Sequence, residues 1–164
     1  ELDAGDIILQ KETPIGPEED AQTLTVRLAE LGAEALSEAV TAIGAGTSTR
    51  MPQDEGAQTY ASMLTKEMSP IDWTRSAREI DCQVRGLIPW PCAACTLAGQ
   101  RFKVFRTAPG DRTDAAPGTV LSAGKQGIRV ACGGGESLYI TELQAEGGKR
   151  MAAGAYLLGH PLEV

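Results

Sequence analysis

The residues in this chain that could do chemistry are few and widely spread. Asp3, in Leu2-Asp3-Ala4-Gly5-Asp6-Ile7, is a carboxylate two residues ahead of a glycine at the edge of an apolar run. Tight backbone would hold such a group in place, although Asp before Gly is also ordinary turn chemistry. Cys92-Ala93-Ala94-Cys95 has the spacing of a metal half-site, which Cys82 and Cys132 could complete. The second close pair of a strong metal signature is missing, and strand positions three apart point to opposite faces. No metal is therefore assigned, and buried free thiols are the expected state. His160 is the only histidine and stands beside Pro161, which reads as an exposed residue rather than a catalytic base. Arg101 and Lys103 alternate with Phe102 and Val104, giving one strand a cationic face and an apolar face. With Lys125, Arg129, Lys149 and Arg150 this suits a surface turned towards a polyanion, or the plain solvation of a sheet face.

The elements that position these residues fall on either side of a seam, Ile71 to Thr107. Before it the chain is acidic, with 4 Lys/Arg against 13 Asp/Glu in residues 1–69; after it, residues 70–164 hold 11 against 9. Any polyanion would meet the second part. The composition, 42% hydrophobic and 23% charged over 164 residues, is that of a folded soluble protein. With aromatics at 4%, the core must rest on Leu, Ile, Val and Ala. No apolar run reaches the roughly 18 residues of a membrane span, and nothing reads as a signal peptide. Glu1 falls within a patterned segment, so the chain is expected to be a fragment of a longer one.

Ile7 to Gln10 reads as a strand, broken by Pro14, Gly16 and Pro17. A helix is expected from near Asp20 to Gly44, with Leu24, Leu28, Leu31, Ala35, Ala39 and Ile43 as its buried stripe. Residues 47–70 read as a connecting arm. Ser76 and Glu79 form a capping-box pattern, predicting a helix from Ala77 to Leu87 that buries Ile80, Val84 and Leu87. Pro89 and Pro91 stop it and bracket Trp90 in an extended turn. Strands are predicted at Cys92–Leu97, Arg101–Thr107, Gly118–Ser122, Ile128–Cys132 and Ser137–Leu143, with Gly133-Gly134-Gly135 a hairpin turn and Met151 to Leu158 a terminal helix. Five short strands with Gly-rich turns suggest a small OB-like barrel. The fold class is α+β, in three parts: 1–46, 47–70 and 71–164.

In order along the chain, Leu2-Asp3-Ala4-Gly5-Asp6-Ile7, Leu24 to Gly32, Tyr60 with Lys66-Glu67, Ile71-Asp72-Trp73, Arg85, Pro89-Trp90-Pro91, Ala116-Pro117-Gly118-Thr119 and Gly148-Lys149-Arg150-Met151 together resemble the C-terminal half of the methionyl-tRNA formyltransferase family. The resemblance covers nearly the whole chain. It implies an enzyme that moves a formyl group from formyl-tetrahydrofolate, its co-substrate, to the amino group of methionine on initiator tRNA. It also implies a Rossmann-like catalytic domain ending in residues 1–46, an OB-like barrel over 71–164, a cytoplasmic monomer and no membrane partner. Asp3 matches the aspartate of the family's Leu-Asp-x-Gly segment, which would orient a histidine and a water. The family's catalytic asparagine and histidine are not in this chain, so these residues alone are expected to be inactive. Arg85, Lys103, Lys149 and Arg150 are the expected tRNA contacts. Cys92 departs from the family, where a small glycine-like residue is usual. The competing readings are a related formyltransferase acting on a sugar nucleotide, the hydrolase part of formyltetrahydrofolate dehydrogenase, and a non-catalytic oligonucleotide-binding module.

Overall fold

The computed structural model describes residues 4–162. The chain divides into two compact units, Glu1–Met63 and Leu64–Val164. Asp3 lies outside the described residues.

The first unit is built on one long helix, α1 (Ala21–Gly44). Its start is fixed locally, because Asp20 Oδ1 accepts from Thr23 N at 2.8 Å while Asp20 N donates to Thr23 Oγ1 at 3.2 Å. These bonds satisfy donors that a helix start would otherwise leave open. The segment ahead of it is tied along the helix. Arg27 donates to both carboxylate oxygens of Glu19 (2.8 and 2.7 Å) and to Pro14 O (2.8 Å), and Lys11 pairs with Glu38 at 2.6 Å. The expected strand at Ile7–Gln10 does not form. Ile7 makes one antiparallel bridge to Met51 and the chain then leaves regular pairing, because a strand needs a ladder partner for its backbone groups. The expected buried stripe is only half realised. Leu24, Leu31, Ala35 and Ala39 are half-buried, Leu28 and Ile43 are exposed, and no residue of α1 is fully buried.

The second unit is a six-stranded antiparallel sheet with two helices: α2 (Ala77–Gly86), β1 (Ala93–Leu97), β2 (Gln100–Gly110), β3 (Val120–Gly124), β4 (Gly127–Cys132), β5 (Glu136–Ala145), β6 (Met151–Ala152) and α3 (Ala153–Gly159). The strand order is β1-β2-β5-β4-β3, with β6 also on β5. Period-two alternation sends Phe102, Val104, Ile128, Val130, Leu138 and Ile140 into one core, a register shift between β2 and β5 brings Leu143 into it as well, and Ile80 and Val84 of α2 pack on them. The capping box at Ser76 and Glu79 forms as expected. Asp81 of α2 then ties the helix to the sheet, its Oδ1 accepting from Thr107 Oγ1 at 2.6 Å.

Several elements differ from expectation; β3, for one, runs Val120–Gly124 where Gly118–Ser122 was expected. β2 continues past Thr107 through Pro109 to Gly110. It can do so because β1 covers only residues 100–104, so nothing on that side asks Pro109 for the N–H it lacks. The expected terminal helix splits, Met151–Ala152 pairing with Glu142 and Leu143 before α3 begins. The turn at residues 89–91 contains cis peptide bonds before both Pro89 and Pro91. Cys92, which follows it, has φ of 66°, a conformation that favours glycine. That is the backbone reason a glycine-like residue suits this position.

Candidate nucleic-acid interface

One face of the second unit carries a cleft of about 900 Å³. Its wall is the outer face of β2, where Arg101 and Lys103 stand exposed between the buried Phe102 and Val104. Register puts Thr96 and Ala94 of β1 beside them, and Gln144 of β5 on the far side of Lys103. A second wall comes from residues 66–73. Ser69 O accepts from Ala94 N at 2.7 Å and Ile71 N donates to Ala94 O at 2.9 Å, while Gln83 Nε2 donates to Met68 O and Pro70 O at 2.8 and 3.0 Å. This anchoring brings Lys66 to the rim and Trp73 to the lining, and Trp73 also packs against the core. Glu146, from the turn after β5, is the acidic member of the lining.

The third side is Trp90. Cys92 N donates to Leu87 O at 2.9 Å and the Cys92 thiol donates to Pro89 O at 3.0 Å, closing the turn beneath it. With Cys92 buried below, the indole is held outward and is 51% exposed. Lys66, Arg101 and Lys103 against Glu146 give the lining a positive balance, with both tryptophans of the chain among it. Cations for phosphate and an aromatic face for a base are the two components of single-strand recognition.

The four expected tRNA contacts are not gathered in one place. Lys103 lines the cleft, and both Lys103 and Arg150 act electrostatically on the Cys92 thiol. Arg150 is engaged within the fold, donating to both oxygens of Glu142 at 2.9 and 2.8 Å while its guanidinium lies 4.4 Å from the centre of the Phe105 ring. Lys149 is exposed on the turn before β6. Arg85 pairs with Asp81 at 2.8 Å, on the carboxylate that also holds Thr107, so it belongs to the helix–sheet joint. Lys66, Trp90 and Glu146 were not among the expected contacts. The signal for Trp90 was a large aromatic displayed between two prolines.

Among the described residues no group of three or more His, Cys, Asp or Glu is placed to hold a metal ion. Cys92, Cys95 and Cys132 are buried and free, whereas Cys82 is free and exposed, against the expectation of burial. Position 82 lies on the outer side of α2, away from the Ile80 and Val84 face. Burial pushes Cys95 up to about 12 and Cys132 up to about 11. His160 is exposed, its ring stacked on Tyr156 with centroids 4.4 Å apart and Nδ1 3.2 Å from Tyr156 O.

Residues 63–161 match the family model described as formyl transferase, C-terminal domain. The chain is 48% identical over 164 residues to the methionyl-tRNA formyltransferase of Citrifermentans bemidjiense, covering 99% of this chain and 50% of the relative. It is 45% identical over 161 residues to that of Trichlorobacter lovleyi, covering 98% and 50%. The chain thus spans about half the length of the curated relatives it matches. Among solved structures, HypX from Aquifex aeolicus in complex with tetrahydrofolic acid matches with a TM-score of 0.68 at 20% identity, over 96% of this chain and 28% of that one. The N-formyltransferase of Helicobacter canadensis matches with a TM-score of 0.63 at 16% identity, over 83% and 49%. At these identities the two structures speak for the fold.

Proposed function

The chain belongs to the formyl transferase C-terminal domain family, and from that premise we propose that it serves a methionyl-tRNA formyltransferase as its tRNA-holding portion. The enzyme's reaction moves a formyl group from formyl-tetrahydrofolate to the amino group of methionine on initiator tRNA, in the cytoplasm, with the enzyme acting as a monomer. In this reading residues 1–46 close a Rossmann-like catalytic domain, 47–70 form the connecting arm, and 71–164 are the OB-like barrel. Asp3 supplies the carboxylate that orients a histidine and a water as the amine attacks the formyl carbon. That histidine, the catalytic asparagine and most of the folate contacts belong to the other half of the enzyme. These 164 residues alone therefore give no formylation.

The observation that carries the tRNA role is the convergence of Lys66, Arg101 and Lys103 on the cleft beside Trp90. Lys149 adds charge nearby in sequence, and Arg150 and Arg85 act chiefly by fixing the turn and helix on which the surface is built. Identity of 45–48% to methionyl-tRNA formyltransferases favours tRNA over the sugar-nucleotide substrates of more distant relatives.

The test is tRNA binding by fluorescence anisotropy at 50 and 200 mM salt. Each phosphate contact on an unpaired strand adds about 0.7 to the salt slope. Affinity should fall with salt, and reversing both charges (Arg101→Glu with Lys103→Glu) should weaken binding at least about tenfold and flatten the slope by about 1.4 or more. Salt-independent binding, or no effect of the double reversal, would count against the assignment. Formyl transfer by these residues alone would overturn the division of labour.

A further inference from the structure

We propose that the cleft takes an unpaired nucleotide segment, with its base stacked on Trp90 and its phosphates on Arg101 and Lys103; this deepens the tRNA reading and rests on it. A volume of about 900 Å³ lies within the roughly 300–1,000 Å³ of small-ligand pockets, enough for a nucleotide or two and far short of a double helix. Duplex RNA is recognised across a wide surface through phosphates and 2′-hydroxyls, whereas unpaired bases are recognised by aromatic stacking. The lining is of the second kind.

The two cations stand two residues apart on one face of β2, about 7 Å along the strand, within reach of one sugar–phosphate repeat. Trp90 faces the cleft from a turn closed by two hydrogen bonds to residues 87 and 89, so little ordering remains to be done on binding. Trp73 differs, because its indole packs against the core and Gly118. Of the two tryptophans, Trp90 is the more exposed, and it is the one assigned to the base.

The experiment titrates the 164-residue protein with hexaadenylate and with a 12-base-pair RNA duplex, reading tryptophan emission and anisotropy. Hexaadenylate should quench the emission. Trp90→Phe should bind within about threefold of the parent and lose the quench, and Trp90→Ala should bind about 5- to 150-fold more weakly. A Trp90→Ala protein that keeps its thermal melt and binds hexaadenylate as tightly as the parent overturns the proposal. So does a quench that survives in Trp90→Phe, or a duplex that binds as tightly as the hexamer. If Trp90→Ala leaves hexaadenylate and tRNA binding intact while the Arg101 and Lys103 reversals weaken tRNA binding, stacking is wrong and the tRNA reading stands. If the reversals also leave tRNA binding intact, both fail.

Discussion

The four cysteines separate by depth, and depth sets their reactivity. A thiol must ionise to attack, and burial holds Cys95 and Cys132 near 12 and 11 and raises Cys92 as well. At pH 8 on the order of one Cys95 in 10⁴ would be thiolate. Ellman's reagent should therefore titrate one thiol quickly in the native protein, and Cys82→Ser should remove it; two fast thiols would contradict this. Glu142 gives a second prediction. The hydrogen bond from Arg150 holds its carboxyl below the ordinary 4.5, with burial opposing and the charges of Arg150 and Arg106 assisting. A carboxyl depressed by folding contributes stability that is present above about 4.5 and lost as pH falls through the folded value. The pair is partly exposed, so the effect is screened to under about 1 kcal/mol. Glu142→Gln should flatten urea stability between pH 5 and 3 relative to the parent; identical profiles would remove the pair from the account. Partners at this scale were only partly legible. The four-residue spacing of Asp81 and Arg85 is visible in a string of letters, but Glu142 and Arg150 meet only because β5 and β6 turn back on each other.

The turn between β4 and β5 shows why an element can be recognised without its tolerances being known. Three glycines mark a hairpin turn, yet each occupies a different environment. A Cβ at Gly133 would run into the backbone carbonyl of Thr74, because Gly133 N donates to Trp73 O and Arg75 O as that segment docks. At Gly134 the space is open and only the left-handed backbone, φ of 70°, resists a side chain. Gly134→Ala should cost about 1–2 kcal/mol. Gly133→Ala should cost more, about 3 kcal/mol, since backbone must move. Urea midpoints of the two variants check the order, and the reverse order would refute the docking. At the joint of α2, Asp81→Ala should cost about 1–2 kcal/mol by removing the carboxylate that Arg85 and Thr107 share. Both helix caps were legible because their partners lie within three residues. The strand at residues 7–10 was misread because an apolar run says nothing about whether a neighbour exists to pair with it.

At the scale of the molecule, burial is uneven. No residue of α1 is buried, whereas Val104, Ile140 and Leu143 in β2 and β5 have no exposure. Amide exchange should accordingly be faster in α1 than in β5, because local opening follows buried apolar contact; equal protection would mean that α1 is covered in solution. The acidic and basic division of the chain was readable from composition. The cleft was not, since its walls come from residues 66–73, 90–96, 101–103 and 144–147, which only the sheet brings together. That sheet has an order of assembly written into it. β5 joins β2 to β4 and carries β6, yet it is made after all of its neighbours except β6. While a ribosome is still extending the chain through residue 135, β2 and β4 have no strand between them to pair their facing backbone edges. A nascent chain must therefore hold this half open until β5 has been made, when the missing middle arrives and the two sides can close at once.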